Sequence, residues 1–294
     1  MIYDEELDFL EKVLLIATGM PSAVKNLQFI SGGFVNQAVS IDTDVGKFFV
    51  KFNESQPESM FSAEASGLNF LREKLQHVAV IPEVIYFGEI LGRHVMVLEY
   101  IQDRIEKPIY WKNLGETIAT LHHISHHKAG LHFHNFAGPL AQNNLENSNW
   151  STFFFEKRLN VQFGLAFYNE LITKSYLKQL ELLQPIFEKL YEKEPFSLLH
   201  GDFWKGNVFP AKNNQPCLFD PAIYFGHREV DIATAGLFGG FDETFFESYQ
   251  NAFPFLPGSK ERMEIYSLYP LMLYVNLYGT SYMSRIDKIL GKYI

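Results

Sequence analysis

The sequence predicts an α+β protein of two lobes, the first built on an antiparallel sheet and the second mainly helical. Residues 27–52 contain three β-prone segments separated by a glycine turn and a polar turn, which is typical of antiparallel strands. From Trp111 onward, apolar residues recur mostly at helical spacing. The two patterns change over near Glu99–Arg104 without a long linker. A short hinge between two lobes is therefore favoured over two independent domains.

The 294 residues divide on this basis into an N-terminal lobe (1–98), a hinge (99–104) and a helical C-terminal lobe (105–294). In the first lobe we expect a helix at 4–18, three strands within 27–52, a helix at 59–75, and strands at Val84–Phe87 and His94–Glu99. In the second we expect helices from Trp111, at Phe153–Tyr168, at Tyr176–Tyr191 and between Asp231 and Leu290, a loop at 128–149, and short strands at Asn207–Phe209 and Cys217–Phe219.

Composition limits the class of protein. The net charge of −9 argues against a nucleic-acid partner, which would need a basic surface. No apolar run approaches the length that spans a bilayer, so we expect no membrane partner. Cys217 is the only cysteine, which excludes an intramolecular disulfide and fits a reducing compartment. The acidic first residues lack the basic start of a secretory signal, and we expect a cytoplasmic protein.

The segment with the clearest chemical pattern runs from His200 to Asp220. Asp202 and Asn207 stand in the spacing Asp-x4-Asn on a short loop, and a hairpin then returns the chain to Asp220. Phosphoryl transfer from ATP requires one carboxylate to orient the attacking hydroxyl, and a carboxylate with an amide oxygen to hold magnesium. Gly-Asp alone is a common turn. The added spacings match the kinase pattern of a catalytic Asp followed by a metal-binding Asn and Asp.

The upstream sequence contains the other parts of this pattern, in the expected order. Lys51 ends a β-prone segment, and Glu64 lies in the next predicted helix, as a phosphate-binding lysine and its glutamate partner would. A glycine-containing turn between two strands would cover the phosphates, and it contains Gly32, Gly33, Phe34, Val35 and Asn36. Each feature alone has an ordinary structural explanation. Their order along the chain predicts a phosphate site.

These motifs resemble the fructosamine kinase family, a branch of the protein-kinase-like small-molecule phosphotransferases. The similar segments are SGGFVNQA, FFVKF, EASGLNFL, VLEYI, NFAGPLAQNN, W-x2-FF-x3-RL, LLHGDFWKGNVF, LFDPAIYFGHREVDIA, LFGGFDETFFESY and LYPLMLYVNLYG, and they cover essentially the whole chain. The most specific is HGDFWKGN, because Trp204 is generally absent from aminoglycoside and choline kinases.

The resemblance implies a two-lobed protein-kinase-like fold with ATP at the hinge. Glu99, Tyr100 and Ile101 would supply backbone contacts to adenine, and Lys51, held by Glu64, would contact the phosphates.

The resemblance also implies roles in the second lobe. Asp202 would be the catalytic base or orienting group, with Asn207 and Asp220 as ligands of Mg²⁺. His200 and Asp231 would support the catalytic loop at 200–207, and Trp204 would help form the sugar pocket.

The implied activity is ATP-dependent phosphorylation of O3 of a ketosamine, the rearranged adduct of a sugar with an amine or a lysine. The 3-phosphate is unstable and releases the amine, which removes the sugar. The resemblance leaves open whether the sugar is ribulose, erythrulose or fructose, whether the acceptor is free or a glycated lysine on a protein, and the oligomeric state.

Several features depart from the pattern or have a second explanation. Many family members have a cysteine where Phe34 stands, and we expect Cys217 to be a buried core thiol. Six of the ten histidines lie between His122 and His134, and the helical pairs His122–His126 and His123–His127 could bind zinc or nickel. A helix end followed by a polar loop is the simpler explanation. The aromatic run from Tyr266 to Tyr282 has helical spacing, which indicates core packing first, with one face reaching the substrate cleft.

Two other functions stay open. An aminoglycoside-, homoserine- or choline-type phosphotransferase would use the same chemistry, and the acidic charge would suit its cationic acceptors. A catalytically inactive kinase-like binding module would usually have lost the lysine, the catalytic aspartate or the metal aspartate. All three types are present here, as Lys51, Asp202 and Asp220.

Overall fold

The computed structural model of the protein describes residues 2–30, 36–54, 56–57 and 59–294, with side chains from Glu5 onward. The predicted glycine turn, with Gly32, Gly33, Phe34 and Val35, lies outside the described residues. What is described has the α+β architecture that the sequence predicts, with an antiparallel sheet early in the chain and helices after it.

The elements follow one another much as expected. The helices are α1 (Ile2–Thr18), α2 (Ser59–Lys74), α3 (Pro108–His123), α4 (Trp150–Phe154), α5 (Asn160–Tyr168), α6 (Lys174–Leu190), α7 (Glu229–Phe238), α8 (Glu243–Ala252), α9 (Ser259–Tyr266), α10 (Leu268–Tyr278) and α11 (Met283–Tyr293). The strands are β1 (Val24–Phe29), β2 (Gln37–Thr43), β3 (Lys47–Asn53), β4 (Val84–Ile90), β5 (Arg93–Glu99), β6 (Ser125–His126), β7 (Asn135–Ala137), β8 (Leu140–Gln142), β9 (Phe196–Leu199), β10 (Val208–Pro210), β11 (Pro216–Leu218) and β12 (Tyr224–Gly226).

The chain forms two compact units. The N-terminal unit contains Met1–Tyr110, Gly138–Leu140 and Gly206–Pro221, and the C-terminal unit contains Trp111–Ala137, Ala141–Lys205 and Ala222–Ile294. The expected lobe and hinge boundaries at 98 and 104 stay a prediction.

The N-terminal unit is built on a five-stranded antiparallel sheet in the order β1-β2-β3-β5-β4. Side chains alternate between the two faces of a strand. In β3, Val50 and Phe52 therefore belong to the hydrophobic cluster that includes Leu10 and Val13 of α1. Lys51, which lies between them, points to the opposite face of the sheet. This alternation places Lys51 between two core residues and directs its side chain away from the α1 core.

The hairpin of β10 and β11 belongs to the same unit. The amide of Val80 donates to the carbonyl of Pro216 at 2.8 Å, and the amide of Leu218 donates back to the carbonyl of Val80 at 3.0 Å. The amide of Arg104 donates to the carbonyl of Pro210 at 2.8 Å. These backbone bonds attach the segment between Asn207 and Asp220 to the N-terminal unit, although it lies far along the chain.

The core of the C-terminal unit is aromatic. The Nε1 of Trp150 donates to the hydroxyl of Tyr266 at 2.9 Å, and the two residues are 1% and 0% exposed. Phe153, Phe154 and Phe155 are equally buried. All three phenylalanines therefore contribute to this core.

Several short strands were not expected, and β7 and β8 lie within the segment 128–149 that was predicted as a loop. β9 and β12 pair antiparallel, and β9 also pairs with β6, forming a three-stranded sheet in the order β12-β9-β6. In the same unit, the buried Glu229 at the start of α7 receives two hydrogen bonds from Arg262, at 2.9 and 2.7 Å. This pair fixes the start of α7 two residues before Asp231.

No helix of the described residues is both long and apolar enough to cross a membrane.

Candidate active site

Lys51 lies between two carboxylates in the N-terminal unit. Its Nζ is 2.7 Å from Oε1 of Glu64 in α2 and 2.6 Å from Oδ1 of Asp220, which follows β11. Lys51 and Glu64 are 4% and 8% exposed, whereas 44% of the Asp220 side chain is exposed. The strand lysine, the helix glutamate and the aspartate after the hairpin therefore meet at one point, as their order in the sequence predicts.

Burial and charge act against each other at this cluster. Burial alone would lower the pKa of Lys51, but the charges and hydrogen bonds of Asp220 and Glu64 outweigh it and raise the pKa. Burial raises the pKa of Glu64, and the ammonium of Lys51 opposes that shift. Lys51 therefore stays a cation at neutral pH, aimed at the partly exposed Asp220.

Asn207 and Asp220 stand at the two ends of the β10–β11 hairpin. The amide of Phe219 donates to the carbonyl of Asn207 at 3.2 Å, which brings the two ends of the hairpin together. Asp220 adopts a left-handed backbone conformation with φ 56°, which aspartate tolerates better than most residues. A carboxylate and an amide oxygen are hard ligands of the kind that Mg²⁺ prefers, with phosphates and water completing the shell. The donor set fits that ion.

The catalytic-loop candidates lie in the C-terminal unit. Gly201 has φ +82°, and a Cβ added there would lie 2.0 Å from the carbonyl oxygen of Ala222. The amide of Ala222 donates to the carbonyl of His200 at 2.9 Å. Because a side chain at position 201 would clash with the carbonyl of Ala222, only glycine fits directly before Asp202.

Asp231 accepts from the backbone of this loop. Its Oδ2 accepts from the amide of His200 at 2.7 Å, and its Oδ1 accepts from the amide of Gly201 at 3.0 Å. Asp231 is 1% exposed, so both bonds are shielded from water. A single buried carboxylate in α7 therefore holds the two residues that precede Asp202. The His200 ring is also buried, and its Nδ1 lies 3.4 Å from the Asp202 amide.

A chain of hydrogen-bonded side chains leads from Asp231 to His122, Tyr249 and Arg228. The Nε2 of His122 lies 3.2 Å from Oδ2 of Asp231, and its Nδ1 lies 2.8 Å from the hydroxyl of Tyr249. Burial lowers the pKa of His122, which keeps the ring neutral. A carboxylate can only accept, so Nε2 carries the hydrogen and Nδ1 accepts from Tyr249. Arg228 in turn donates to Tyr249 at 3.3 Å.

The histidine cluster begins at the end of a helix, as the simpler explanation predicted, but it continues into strand β6. Helix α3 ends at His123 and His126 lies in strand β6, so the helical pairs His122–His126 and His123–His127 do not form. The His123 ring stacks on Phe253 at 4.0 Å, and the Nδ1 of His134 accepts from the amide of Asn144. Among the described residues, no group of three or more His, Cys, Asp or Glu side chains is arranged to hold a metal ion.

The predicted hinge and turn residues also have defined neighbours. The Glu99 amide donates to the carbonyl of Glu83 at 2.9 Å, and the Nζ of Lys47 lies 4.0 Å from the ring centre of Tyr100. Ile101 follows the end of β5. The Oδ1 of Asn36 accepts from Nδ2 of Asn53 at 2.7 Å, which attaches the end of the turn to β3.

The predicted residues fall into two sets. The N-terminal unit contains Asn36, Lys51, Glu64, Glu99, Tyr100, Ile101, Asn207 and Asp220. The C-terminal unit contains His200, Asp202, Trp204 and Asp231. Trp204 is partly exposed, and its amide donates to the carbonyl of Asp202 at 3.1 Å.

Comparison with known proteins identifies the family. The sequence profile described as fructosamine kinase matches residues 9–294. The chain belongs to the fructosamine kinase family. A probable ketoamine kinase of Enterococcus faecium is 34% identical over 268 residues, which are 90% of this chain and 94% of that protein. The chloroplastic protein-ribulosamine 3-kinase of Arabidopsis thaliana is 33% identical, over 95% of this chain and 86% of that protein.

Solved structures agree with this assignment. The crystal structure of a protein described as a fructosamine-3-kinase from Haemophilus somnus has a TM-score of 0.88 at 29% identity, with both chains fully covered. An aminoglycoside phosphotransferase in complex with ADP and hygromycin B has a TM-score of 0.66 at 14% identity, over 96% of this chain and 98% of that one. The second likeness concerns the fold alone, which is protein-kinase-like.

Sequence reasoning missed some residues of this fructosamine kinase family member. His122, Tyr249 and Arg228 form the chain behind Asp231. The only signal was residue type, a histidine at a helix end, and it does not indicate a partner more than a hundred positions away, such as Tyr249 for His122. Tyr274 and Tyr278 belong to the aromatic run that was expected to reach the substrate cleft on one face, and the charge of Asp202 raises the pKa values of both.

Proposed function

We propose that this protein transfers the γ-phosphoryl group of ATP to O3 of a ketosamine. The observation that carries the proposal is the position of Lys51 between Glu64 and Asp220, at 2.7 and 2.6 Å. Family membership supports the acceptor, since the curated relatives are named ketoamine kinases and a protein-ribulosamine 3-kinase.

In this proposal the N-terminal unit binds the nucleotide. Lys51 pairs with the phosphates of ATP, and residues 32–36 cover them. Glu99, Tyr100 and Ile101 bind adenine through their backbone. Asn207 and Asp220 hold Mg²⁺, which offsets the charge of the phosphates when bound. Residues 1–98, 99–104 and 105–294 act as lobe, hinge and lobe.

The C-terminal unit activates the acceptor. Asp202 orients the 3-hydroxyl and accepts its proton as the bond from O3 to phosphorus forms and the bond from phosphorus to ADP breaks. The buried Asp231 limits movement of the loop, because it holds the amides of His200 and Gly201. Trp204, which follows Asp202 closely in the chain, forms part of the sugar pocket. Most of the rate gain comes from positioning and electrostatics.

The product explains the biological role that we propose. A ketosamine 3-phosphate decomposes and releases the amine, so the activity removes sugar from amines, either small molecules or glycated lysines on proteins. We place it in the cytoplasm, where ATP is available and where Cys217, a buried free thiol, would stay reduced. We propose no nucleic-acid or membrane partner, in keeping with the net charge of −9.

The experiment that tests the proposal is an acceptor panel. ADP release with Mg²⁺ and ATP is measured against ribulosyl-lysine, erythrulosyl-lysine and fructosyl-lysine, with kanamycin and choline as controls. We expect turnover on a ketosamine and none on the controls. Turnover on a control alone would keep the phosphoryl-transfer chemistry but move the acceptor to the aminoglycoside or choline type. Failure to bind Mg²⁺ and ATP in a thermal-shift titration would favour an inactive binding module.

A further inference from the structure

Helix α10 changes from core to surface along its length. Tyr269, near its start, is 4% exposed, whereas Tyr278, its last residue, is 39% exposed. Tyr274 and Tyr282 are of intermediate exposure. The expected core role therefore holds for the first half of the helix and for Val275, whereas the tyrosines of the second half are partly exposed to solvent.

These rings form a compact cluster around Tyr274. Its ring centre is 5.1 Å from that of Tyr278 and 5.2 Å from that of Tyr282, and both pairs meet edge to face. On its other side Tyr274 stacks on Phe238, at 4.3 Å. Because the rings support one another, the cluster is a preformed aromatic surface. We call Tyr274, Tyr278 and Tyr282 the tyrosine cluster.

The tyrosine cluster lies near the loop that carries Asp202. Tyr274 stacks on Phe238, and the ring of Phe241, three residues further along the chain, is 5.2 Å from that of Phe203, which directly follows Asp202. Burial raises the pKa values of Tyr274 and Tyr278, and the negative charge of Asp202 raises both further. The hydroxyls therefore stay protonated and the rings neutral. Neutral aromatic faces attract cations, most strongly where water is partly excluded. A carboxylate beside such faces adds direct Coulomb attraction. The combination is suited to an organic ammonium ion.

We propose that the tyrosine cluster, together with Asp202, binds the protonated secondary amine of the acceptor. This inference rests on the proposed function and names the part of the substrate that gives specificity. In a ketosamine the amine nitrogen is attached to C1 and is only four covalent bonds from the O3 oxygen. An acceptor that places O3 at Asp202 therefore brings its ammonium group close to the same carboxylate. A neutral sugar would lack the charge-dependent part of this attraction.

Tyr278 is the residue to change, since it is the most exposed member of the tyrosine cluster, at 39%. Tyr278→Phe keeps the aromatic face, and Tyr278→Leu removes it. Tyr168→Leu is the matched control, because Tyr168 is 83% exposed at the end of α5. The KM for ribulosyl-lysine, the KM for ATP and kcat are measured for each variant. Free ribulose, the same sugar with a hydroxyl in place of the amine, is tested as a substrate or as a competitive inhibitor.

We expect Tyr278→Leu to raise the KM for ribulosyl-lysine by about 2- to 30-fold, the range that cation–π energies correspond to. The KM for ATP should stay close to that of wild type, and the affinity for ribulose should change less than the KM for ribulosyl-lysine. Tyr278→Phe should raise the KM for ribulosyl-lysine less than Tyr278→Leu does, and Tyr168→Leu should behave as wild type. Equal KM values for ribulosyl-lysine in wild type and Tyr278→Leu, or an equal loss of affinity for ribulose, would overturn the inference and leave the proposed function intact. A wild-type protein inactive on every ketosamine would instead refute the proposed function.

Discussion

At the scale of single residues, Lys51 is a buried cation of the N-terminal unit. It is 4% exposed and contacts two carboxylates. A buried ion pair contributes little net stability compared with apolar residues of similar size, but the loss of one partner leaves an uncompensated charge. Stability alone therefore does not explain the cluster, since apolar residues of similar size would stabilise the fold at least as well, and this supports the proposed role in nucleotide binding.

This explanation predicts an unusual pattern of stabilities. Lys51→Met should lower the free energy of unfolding by about 3–5 kcal/mol, because Glu64 would be left buried without its cation. The double variant Lys51→Met/Glu64→Leu should recover most of that loss. Urea unfolding of the two variants and the wild type measures the difference. A double variant as unstable as the single one would contradict the account.

Cys217 gives a second test at this scale. It is 0% exposed, and burial raises the pKa of its thiol above the usual range. The thiolate is the reactive form, so the native protein should react with a thiol reagent such as DTNB far more slowly than the unfolded protein, which should release one equivalent per chain. Rapid reaction of the native protein would show that the β10–β11 hairpin opens readily.

At the scale of elements, the loop from His200 to Asp202 is held in place by contacts of its backbone at Gly201. Gly201 lies against Ala222 and is held from the other side by Asp231. Both constraints act on the position of Asp202. The loop is therefore expected to be intolerant of change even where no side chain would contact the substrate.

Gly201→Ala tests this intolerance. The added Cβ would lie 2.0 Å from the Ala222 carbonyl oxygen, so we expect a loss of turnover of at least about 100-fold, the scale associated with misplacing a reacting group by 1 Å. Gly19→Ala is the matched control, since Gly19 has φ +72° but no atom within 4 Å of the added Cβ. The control variant has the backbone strain of a left-handed residue without the steric clash. Equal activity in the two variants would show that the loop tolerates displacement.

Periodicity predicted most elements of this fold but not the contacts between distant segments. The long helices and the five-stranded sheet follow from spacing, and Lys51 and Glu64 could be placed on them in advance. The strands β9 and β12, of four and three residues, are too short to show a period. His126 lies in a strand because β6 pairs with β9, and that pairing is set by tertiary packing.

At the scale of the whole molecule, the candidate site is assembled from parts far apart in the sequence. Lys51 and Asp220 are 169 positions apart, yet their atoms are 2.6 Å apart. Their order could be recognised from the sequence as a pattern of phosphoryl transfer. The ketosamine acceptor followed only from the family resemblance, because the tyrosines of α10 have the same spacing whether they pack in a core or bind a ligand.

The most direct test of the account compares ADP release by the wild type and by Asp202→Asn, with Mg²⁺, ATP and ribulosyl-lysine. A thermal-shift titration of both proteins with Mg²⁺ and ATP is the control for nucleotide binding. We predict that Asp202→Asn binds the nucleotide as the wild type does and loses turnover by about 100- to 10,000-fold, the usual contribution of a general base. Near-normal turnover of Asp202→Asn would contradict the mechanism, and a wild type that turns over none of the ketosamines would contradict the function.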